Sequence, residues 1–363
     1  MGNKKIIGLY SPYLPDHRGG GERYLLSCAS LLSQKANIEL LMSDADRFEA
    51  KKYEQLFGLD LSHVTAVEFP TKVLDRVRLT SRYDAMLAMT DGSLFFSAAK
   101  RNVLHLQFPF TDLKPSLLDR LKLFNWSIRN ANSSFTQRVV QRHWKIKIQY
   151  LHEPAVDSSR FIPREKESIM LSIGRFYDPG LSGAHAKRQD IILDVFKSLV
   201  DRGLTGWRLV LLGTTDPDLS SELMIQKLEQ SAKGYPVKIL PNKDLDTVSR
   251  YLGISRLYIH AAGFGVDEEL HPAQVEHFGI TIIEAMAAGA IPVVIPKGGP
   301  AGTVQDRKNG LWWSSPDEAV EKIEQLLVDP TLESRLRSRC IADAQQYSEE
   351  RFASILYEMM GVS

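Results

Sequence analysis

Short runs of β-branched and other apolar residues alternate along this chain with segments whose apolar residues recur at helical spacing. The runs are Lys5–Tyr10, Ile38–Met42, Ala85–Ala88, Val103–Leu106 and Ile148–Leu151, then Ile169–Ile173, Arg208–Leu212, Val237–Leu240, Leu257–His260 and Ala290–Ile295. This alternation predicts parallel strands joined by crossover helices. A polar, proline-containing stretch, Glu153–Ser168, separates the two series. The sequence therefore predicts an α/β protein with two Rossmann-like domains.

We place the first domain at residues 1–162 and the second at 163–347. Residues 348–363 are predicted to end the chain as a helix, because Phe352, Ile355, Leu356 and Met359 recur at helical spacing. The chain has 363 residues, of which 44% are hydrophobic and 25% are charged. This composition is typical of a globular enzyme with two cores of ordinary size.

The N-terminal sequence MGNKKIIGLYSP contains an apolar run too short for a signal peptide, and no segment has the length of a membrane span. Cys28 and Cys340 are single thiols in helix-like stretches, which predicts packing residues in a reducing compartment. We therefore expect a cytoplasmic protein.

Charge is distributed unevenly along the chain. The formal net charge is +1, but residues 1–165 contain 24 Lys and Arg against 17 Asp and Glu. Much of this excess lies in residues 70–147, where Lys72–Arg78 and Arg120–Arg129 interleave basic and apolar residues. The pattern is compatible with peripheral contact at a membrane surface or with an anionic acceptor, and equally with a solvated helix face. No nucleic-acid recognition motif accompanies the charge, so we do not expect nucleic acid as a partner.

The segment EHFGITIIEAMAAGAIPVV contains two carboxylates eight positions apart, Glu276 and Glu284. A Phe-Gly pair precedes a short predicted helix, which ends at a glycine before a strand. Backbone N–H groups of Gly279–Thr281 would face an anion at the positive end of this helix. The two glutamates could accept hydrogen bonds from sugar hydroxyls on either side. This pattern predicts a nucleotide-sugar site.

These motifs resemble those of the retaining glycosyltransferases of family 4, which have the GT-B fold. The resemblance extends to Gly19–Gly21, Ile173–Phe176, Lys187–Asp190, Gly298–Gly299 and Asn309–Gly310. It implies two Rossmann-like domains facing a cleft, with the C-terminal helix crossing back to the N-terminal domain. It also implies hexosyl transfer, with retention, to a glycan or lipid-linked glycan. The donor would be a GDP- or UDP-linked sugar, and neither a metal nor another cofactor would be needed.

The resemblance also suggests roles for individual residues. Arg175 and Lys187 would bind the donor diphosphate, with Arg188 as the substitute for Lys187 because YDPGLSGAHA lengthens the usual interval. Glu276 would bind the transferred sugar, and Glu284 the ribose. Donor contacts are further expected from Gly20, Gly21, Asn242, Phe278, Gly279, Ile280 and Thr281, and acceptor contacts from Asp16, His17 and Arg18. The loop before Glu276 is similar to that of a mannosyltransferase-like branch, which favours GDP-mannose.

The sequence departs from the family pattern at two positions. Gln107 stands where relatives often have a histidine that contacts the donor sugar; either Gln107 takes that role or His105 does, and a buried structural His105 is an equal alternative. Gly302 stands where many relatives have Glu. The acidic residues Asp267, Glu268 and Glu269 are predicted to face solvent. Two other functions remain open: a nucleotide-sugar epimerase or hydrolase, and a non-catalytic nucleotide-sugar-binding subunit.

Overall fold

A computed structural model describes residues 4–16, 19–111, 116–177, 187–215 and 219–362. The chain divides into two compact units. The first comprises Met1–Ala155 together with Glu349–Ser363, and the second comprises Val156–Ser348.

Strands and helices alternate along the chain. The first series is β1 (Ile6–Tyr10), α1 (Gly20–Ser33), β2 (Asn37–Met42), α2 (Ala50–Phe57), β3 (Val64–Glu68), α3 (Val73–Thr80), β4 (Ala85–Met89), β5 (Asn102–Leu106), α4 (Leu117–Asn125), β6 (Ile128–Ala131), α5 (Ser134–Trp144) and β7 (Tyr150–Leu151). The second is β8 (Glu167–Ile173), α6 (Gln189–Asp201), β9 (Arg208–Gly213), α7 (Leu219–Ser231), β10 (Val237–Pro241), α8 (Leu245–Ile254), β11 (Ser255–His260), α9 (Ile280–Ala287), β12 (Ile291–Val294), α10 (Pro300–Thr303), β13 (Leu311–Trp312), α11 (Pro316–Leu327) and α12 (Pro330–Ala344). Helix α13 (Glu349–Met360) belongs to the first unit.

The sheet of the first unit has the strand order β3-β2-β1-β4-β5-β6-β7, and its strands pair in parallel. One buried cluster contains residues of α1 and α13, and the other contains residues of α4 and α5. Helices thus cover both faces of the sheet, as parallel strands with buried side chains require.

The sheet of the second unit has the order β10-β9-β8-β11-β12-β13 and is also parallel. Strand β8 pairs with β9 on one side and β11 on the other. The direction of strand addition therefore reverses between β8 and β11. In open α/β sheets, the carboxyl ends of strands at such a reversal border a crevice suited to ligands.

The boundary between the units precedes the predicted one: it lies at Ala155, not residue 162. Residues after Ala155 belong to the second unit because their backbone groups form hydrogen bonds there and their apolar side chains pack there. The Val156 amide donates to the carbonyl of Tyr347 at 2.8 Å, and Ser249 Oγ donates to the carbonyl of Arg160 at 2.7 Å. Phe161 is fully buried in the second unit's core. The polar composition of this stretch concealed its packing.

Within the described ranges, no helix combines the length and apolar character needed to cross a membrane.

Candidate functional site

The centre of the candidate site is Glu276, which follows the carboxyl end of β11. Its Oε2 forms an ion pair with Lys187 Nζ and lies 3.2 Å from His260 Nε2. Only 12% of the Glu276 side chain and 21% of the Lys187 side chain are exposed. The fold brings these groups together because Lys187 precedes α6, which follows β8, and His260 ends β11, the strand beside β8. A mostly buried carboxylate is stabilised here by one cation and one imidazole.

The imidazole of His260 is buried, and this burial lowers its pKa; the hydrogen bond and charge of Glu276 act in the opposite direction, and Lys187 lowers the pKa further. The lowered pKa favours a neutral ring at neutral pH. A proton on Nε2 then makes this nitrogen the donor to Glu276. His260 Nδ1 has no hydrogen-bond partner among the residues that the structure describes. His260 therefore orients the Glu276 carboxylate.

Helix α9 begins beside this cluster. Gly279 precedes it with φ 86°, a left-handed conformation that glycine adopts without steric cost. This turn leaves the first backbone N–H groups of α9 available to an anion, at the end where the helix dipole is positive. Glu284, in the second turn of α9, is buried with 5% of its surface exposed. The structure therefore associates both predicted carboxylates with the same short helix.

Tyr258, in β11, connects the start of α9 to the end of β8. Its hydroxyl hydrogen-bonds Thr281 Oγ1 at 2.7 Å and donates to the carbonyl of Ile173 at 3.3 Å. Burial raises the pKa of this phenol, and the Glu276 and Glu284 carboxylates raise it further. Tyr258 therefore remains a neutral hydroxyl close to both glutamates.

A glycine pair, Gly298–Gly299, holds the backbone of Glu276 in place. The Gly299 amide donates to the carbonyl of Glu276 at 2.7 Å, and a Cβ on Gly298 would lie 2.1 Å from the same oxygen. The Gly298 amide donates to Glu268 Oε2 at 2.6 Å. Asp267 and Glu269 are exposed as predicted, whereas Glu268 is half-buried and its carboxylate is held by this loop amide.

The two candidate cations at the start of α6 have separate partners. Lys187 pairs with Glu276, whereas the Arg188 guanidinium donates to Asp190 at 2.9 to 3.2 Å and to the Phe264 carbonyl at 3.3 Å. Arg188 has φ 52°, which is in the left-handed region. Arg175, which follows β8, is exposed. Lys187 is thus the member of the pair beside Glu276.

Asn242 follows β10 and has φ 52°. Its Oδ1 accepts from the Thr215 amide at 3.0 Å, and its Nδ2 donates to Thr215 Oγ1 at 2.8 Å. The side chain thus joins the loops after β9 and β10.

The glycine-rich turn of the first unit lies against Gln107. A Cβ on Gly21 would lie 2.4 Å from both terminal atoms of the Gln107 carboxamide, whereas a Cβ on Gly20 would meet nothing within 4 Å. The Gly19 amide donates to Glu22 Oε2 at 2.7 Å. The absence of a side chain at Gly21 therefore permits Gln107 to pack directly on the start of α1.

His105 lies in the core of the first unit. Its ring is fully buried, stacks on Tyr24 with centroids 3.6 Å apart, and places Nδ1 2.5 Å from Asn130 Oδ1. Burial lowers its pKa to about 3. The ring has no exposed surface for a sugar, so the structure corrects the suggestion that His105 replaces Gln107.

Asp16, one of the three proposed acceptor residues, forms an exposed ion pair with Arg47. His17 and Arg18 lie outside the described residues, as does most of the inserted stretch before Lys187, residues 178–186. The structure therefore describes only Asp16 of this group.

Comparison with known families identifies the second unit. The profile described as "Glycosyl transferases group 1" matches residues 157–347, more than half of the chain. The chain belongs to this family. The matched region contains Lys187, His260, Glu276 and Glu284, so the cluster described above lies inside the family's own domain.

Individual relatives agree with this assignment. The glycogen synthase of Marinomonas sp. (strain MWYL1) is 28% identical over 175 residues, 47% of this chain and 31% of that protein. A Neurospora crassa protein named GDP-Man:Man(3)GlcNAc(2)-PP-Dol alpha-1,2-mannosyltransferase is 27% identical over 215 residues, 55% of this chain and 34% of that protein. The chain thus spans about a third of the length of these relatives.

The fold also matches a solved structure over nearly its whole length. The structure of Anabaena HepE in complex with UDP-glucose superposes with a TM-score of 0.69 at 16% identity, covering 98% of this chain and 99% of that one. The predicted α/β class with two Rossmann-like sheets of the GT-B type is confirmed.

Sequence reasoning did not assign His260, Tyr258 or Glu268 to the surroundings of Glu276. His260 and Tyr258 do carry a signal, because polar groups at the carboxyl end of a strand beside a topological reversal are candidates for a site. Glu268 carries none, since the hydrogen bond to Gly298 joins two loops 30 positions apart.

Proposed function

We propose that this protein is a retaining hexosyltransferase that moves a hexose from a nucleoside diphosphate sugar to a hydroxyl of a glycan or lipid-linked glycan. The observation that carries the proposal is the Lys187–Glu276–His260 cluster at the start of α9, with Glu284 buried in the same helix. This arrangement offers positive charge for a diphosphate and carboxylates for sugar hydroxyls within one small region.

In the proposed reaction, the bond between the sugar anomeric carbon and the diphosphate oxygen breaks, and negative charge develops on the diphosphate. Lys187, Arg175 and the first N–H groups of α9 would stabilise that charge. Hydrogen-bond donors and cations that face developing charge lower the activation barrier, by on the order of 3 kcal/mol for one group. We propose that these groups suffice without a metal or another cofactor.

We assign Glu276 to the sugar hydroxyls, because an ion-paired carboxylate with a neutral imidazole donor is suited to accept hydrogen bonds. The acceptor oxygen would attack the anomeric carbon from the face that the diphosphate leaves. Its proton would pass to the departing diphosphate oxygen, so that the new glycosidic bond keeps the configuration of the donor.

Two donors have support. The Neurospora crassa relative is named for GDP-mannose, and the HepE structure contains UDP-glucose. We favour GDP-mannose because the loop before Glu276 is similar to that of mannosyltransferases, and UDP-glucose is the alternative. The buried free thiols Cys28 and Cys340 fit the cytoplasmic location that we also propose.

The test is a transfer assay with each nucleotide sugar, in which release of the nucleoside diphosphate is followed with and without a lipid-linked glycan fraction. We expect release to depend on the acceptor, and NMR of the product to show the donor's anomeric configuration. Equal release without acceptor would indicate a hydrolase. Conversion of the donor to another nucleotide sugar would indicate an epimerase, and binding without turnover a regulatory subunit.

A further inference from the structure

Helix α4 presents an unusually apolar surface to solvent. The exposed fractions of Leu117, Leu121 and Phe124 are 79%, 55% and 83%, and that of Leu118 is 53%. Leu117, Leu121 and Phe124 are four and three residues apart, so they lie along one side of the helix. Leu123 is the buried side chain of α4 and points into the core. The apolar stripe of α4, defined as these four exposed residues, thus lies on the side away from the core.

Basic residues accompany this stripe. Arg120 is exposed on the same helix, next to Leu121. The acidic residue of α4, Asp119, is engaged: it accepts from Ser116 Oγ at 2.7 Å and pairs with Lys122 at 3.4 Å. The face therefore combines exposed apolar side chains with positive charge that its own acid does not cancel.

Helix α3 adds to the same surface. Leu79 of α3 and Leu123 of α4 pack into one core cluster with Trp126. Thr80 Oγ1 accepts from the Ala98 amide, and Asn125 Oδ1 accepts from the adjacent Ser97 amide, both at 2.9 Å. The consecutive residues Ser97 and Ala98 therefore bind the carboxyl ends of α4 and α3, and the two helices lie on one face of the sheet.

The N-terminal half of α3 is itself apolar and exposed: Leu74 is 83% exposed and Val73 is also exposed. Lys72 and Arg78 are exposed on either side of them, with Asp75 between. The same combination of large apolar and basic side chains thus recurs on two helices that share one face.

We propose that this face docks the protein on a bilayer that contains anionic lipid. Leucine and phenylalanine would insert at the level of the headgroups, while Arg120, Lys72 and Arg78 would bind lipid phosphates. Interfacial helices combine these features, because apolar burial and attraction to anionic headgroups add. The positive charge beside the stripe favours an anionic surface over a second copy of the same basic face. This inference does not depend on the glycosyltransferase activity.

Sedimentation with vesicles tests the proposal. The full-length protein is mixed with phosphatidylcholine vesicles, with or without phosphatidylglycerol, and the bound fraction is measured. We expect binding to the anionic vesicles that weakens as salt is raised, since exposed charges are screened within about 10 Å at 0.1 M ionic strength. The variant Leu121→Ser/Phe124→Ser should bind at least about tenfold more weakly, because two apolar side chains no longer leave water.

Val328→Ser is the matched control, because Val328 is 83% exposed but lies in the second unit; it should bind as wild type does. A positive readout comes from Phe124→Trp, whose added fluorescence should shift to shorter wavelength on anionic vesicles. The proposal would be overturned if wild type did not bind the vesicles or if the double variant bound them with unchanged affinity. It would also be overturned if the only effect of the double variant were to dissociate a dimer of this protein.

Discussion

At the scale of residues, Glu276 and Glu333 have similar surroundings but different expected roles. Each accepts hydrogen bonds from two nitrogen-bearing side chains, and their side chains are 12% and 13% exposed. Glu276 contacts Lys187 and His260 beside the start of α9. Glu333 contacts Arg337 of its own helix and Arg256 of β11, and the pair with Arg256 joins α12 to the sheet. Loss of the carboxylate should therefore affect activity in one case and stability in the other.

We predict that Glu276→Gln lowers kcat/KM for hexose transfer by about a hundredfold, because an amide binds sugar hydroxyls and Lys187 less well. Glu333→Gln should leave kcat/KM within twofold of wild type but lower the free energy of unfolding by about 1–2 kcal/mol. Steady-state kinetics and urea unfolding of both variants give the comparison. Equal losses of activity in the two variants would contradict a specific role for Glu276.

Spacing identified several candidate residues but could not choose between neighbours. Lys187 and Arg188 are adjacent, and the choice between them follows from a left-handed φ at Arg188 and from the carboxylate of Asp190. His105 and Gln107 lie two residues apart, which predicts the same side of a strand. All five residues of β5 are buried, so His105 is in the core, whereas Gln107 lies beyond the strand's end.

At the scale of elements, the entry to α9 depends on Gly279. A Cβ there would lie 2.9 Å from Ile282 Cδ1 and 3.3 Å from Glu276 Cγ, in addition to the cost of φ 86°. The turn thus positions the helix start and the Glu276 side chain together.

We predict that Gly279→Ala lowers the free energy of unfolding by about 2 kcal/mol and also weakens donor binding, because Glu276 must shift. Gly234→Ala is the control: Gly234 has φ 85°, and a Cβ there would meet nothing within 4 Å. It should cost about 1 kcal/mol through backbone strain alone and leave donor binding unchanged. Thermal unfolding and titration with donor separate the two effects. Unchanged donor binding in Gly279→Ala would contradict the proposed link between this turn and Glu276.

Element prediction succeeded where strands are strongly apolar. Those in the middle of both sheets, such as β4 and β9, match their predicted runs closely. Strand β3 was missed because Val64–Glu68 forms the edge of the sheet and is at most partly buried, and β6 because Ile128–Ala131 is short and contains Arg and Asn. Of the predicted run Ile148–Leu151, only Tyr150–Leu151 pairs as a strand. Such strands form because of the neighbouring strands with which they pair, and the local sequence pattern carries no information about those neighbours.

At the scale of the whole molecule, buried histidines occur in both units. Burial lowers the pKa of His105 to about 3 and the pKa values of His152 and His277 to about 4, from an ordinary value of 6.5. In the unfolded chain each ring has a pKa near 6.5, so below that pH the unfolded chain binds protons that the folded chain does not. The free energy of unfolding is therefore highest above pH 6.5 as far as these rings are concerned, and it decreases as the pH falls toward 4.

We predict that the free energy of unfolding falls with pH below 6.5 and that His105→Gln reduces the slope by about 1.4 kcal/mol per pH unit, since one fewer proton is taken up on unfolding. Urea unfolding between pH 7 and pH 4 provides the measurement. A slope that does not change in His105→Gln would show that this ring is not buried in its neutral form.

The two-domain organisation followed from the two series of strands, but the boundary at Ala155 did not. The Val156 amide, which donates to Tyr347, and the Arg160 carbonyl, which accepts from Ser249, decide it, whereas polar composition alone suggests a linker. The C-terminal helix was predicted from its spacing, and Phe352, Leu356 and Met359 are buried in the first unit's core.

We propose that the second unit binds a nucleoside diphosphate sugar through Glu284 and the Glu276 cluster. The most direct measurement is the melting temperature of wild type and Glu284→Gln with GDP-, UDP-, ADP- and dTDP-sugars, since a ligand that binds the folded state raises it by mass action. We expect one nucleotide class to stabilise wild type and Glu284→Gln to need at least about tenfold more of it, because a charged acceptor for the ribose is lost. No stabilisation by any of these sugars, or equal stabilisation of both proteins, would contradict the claim.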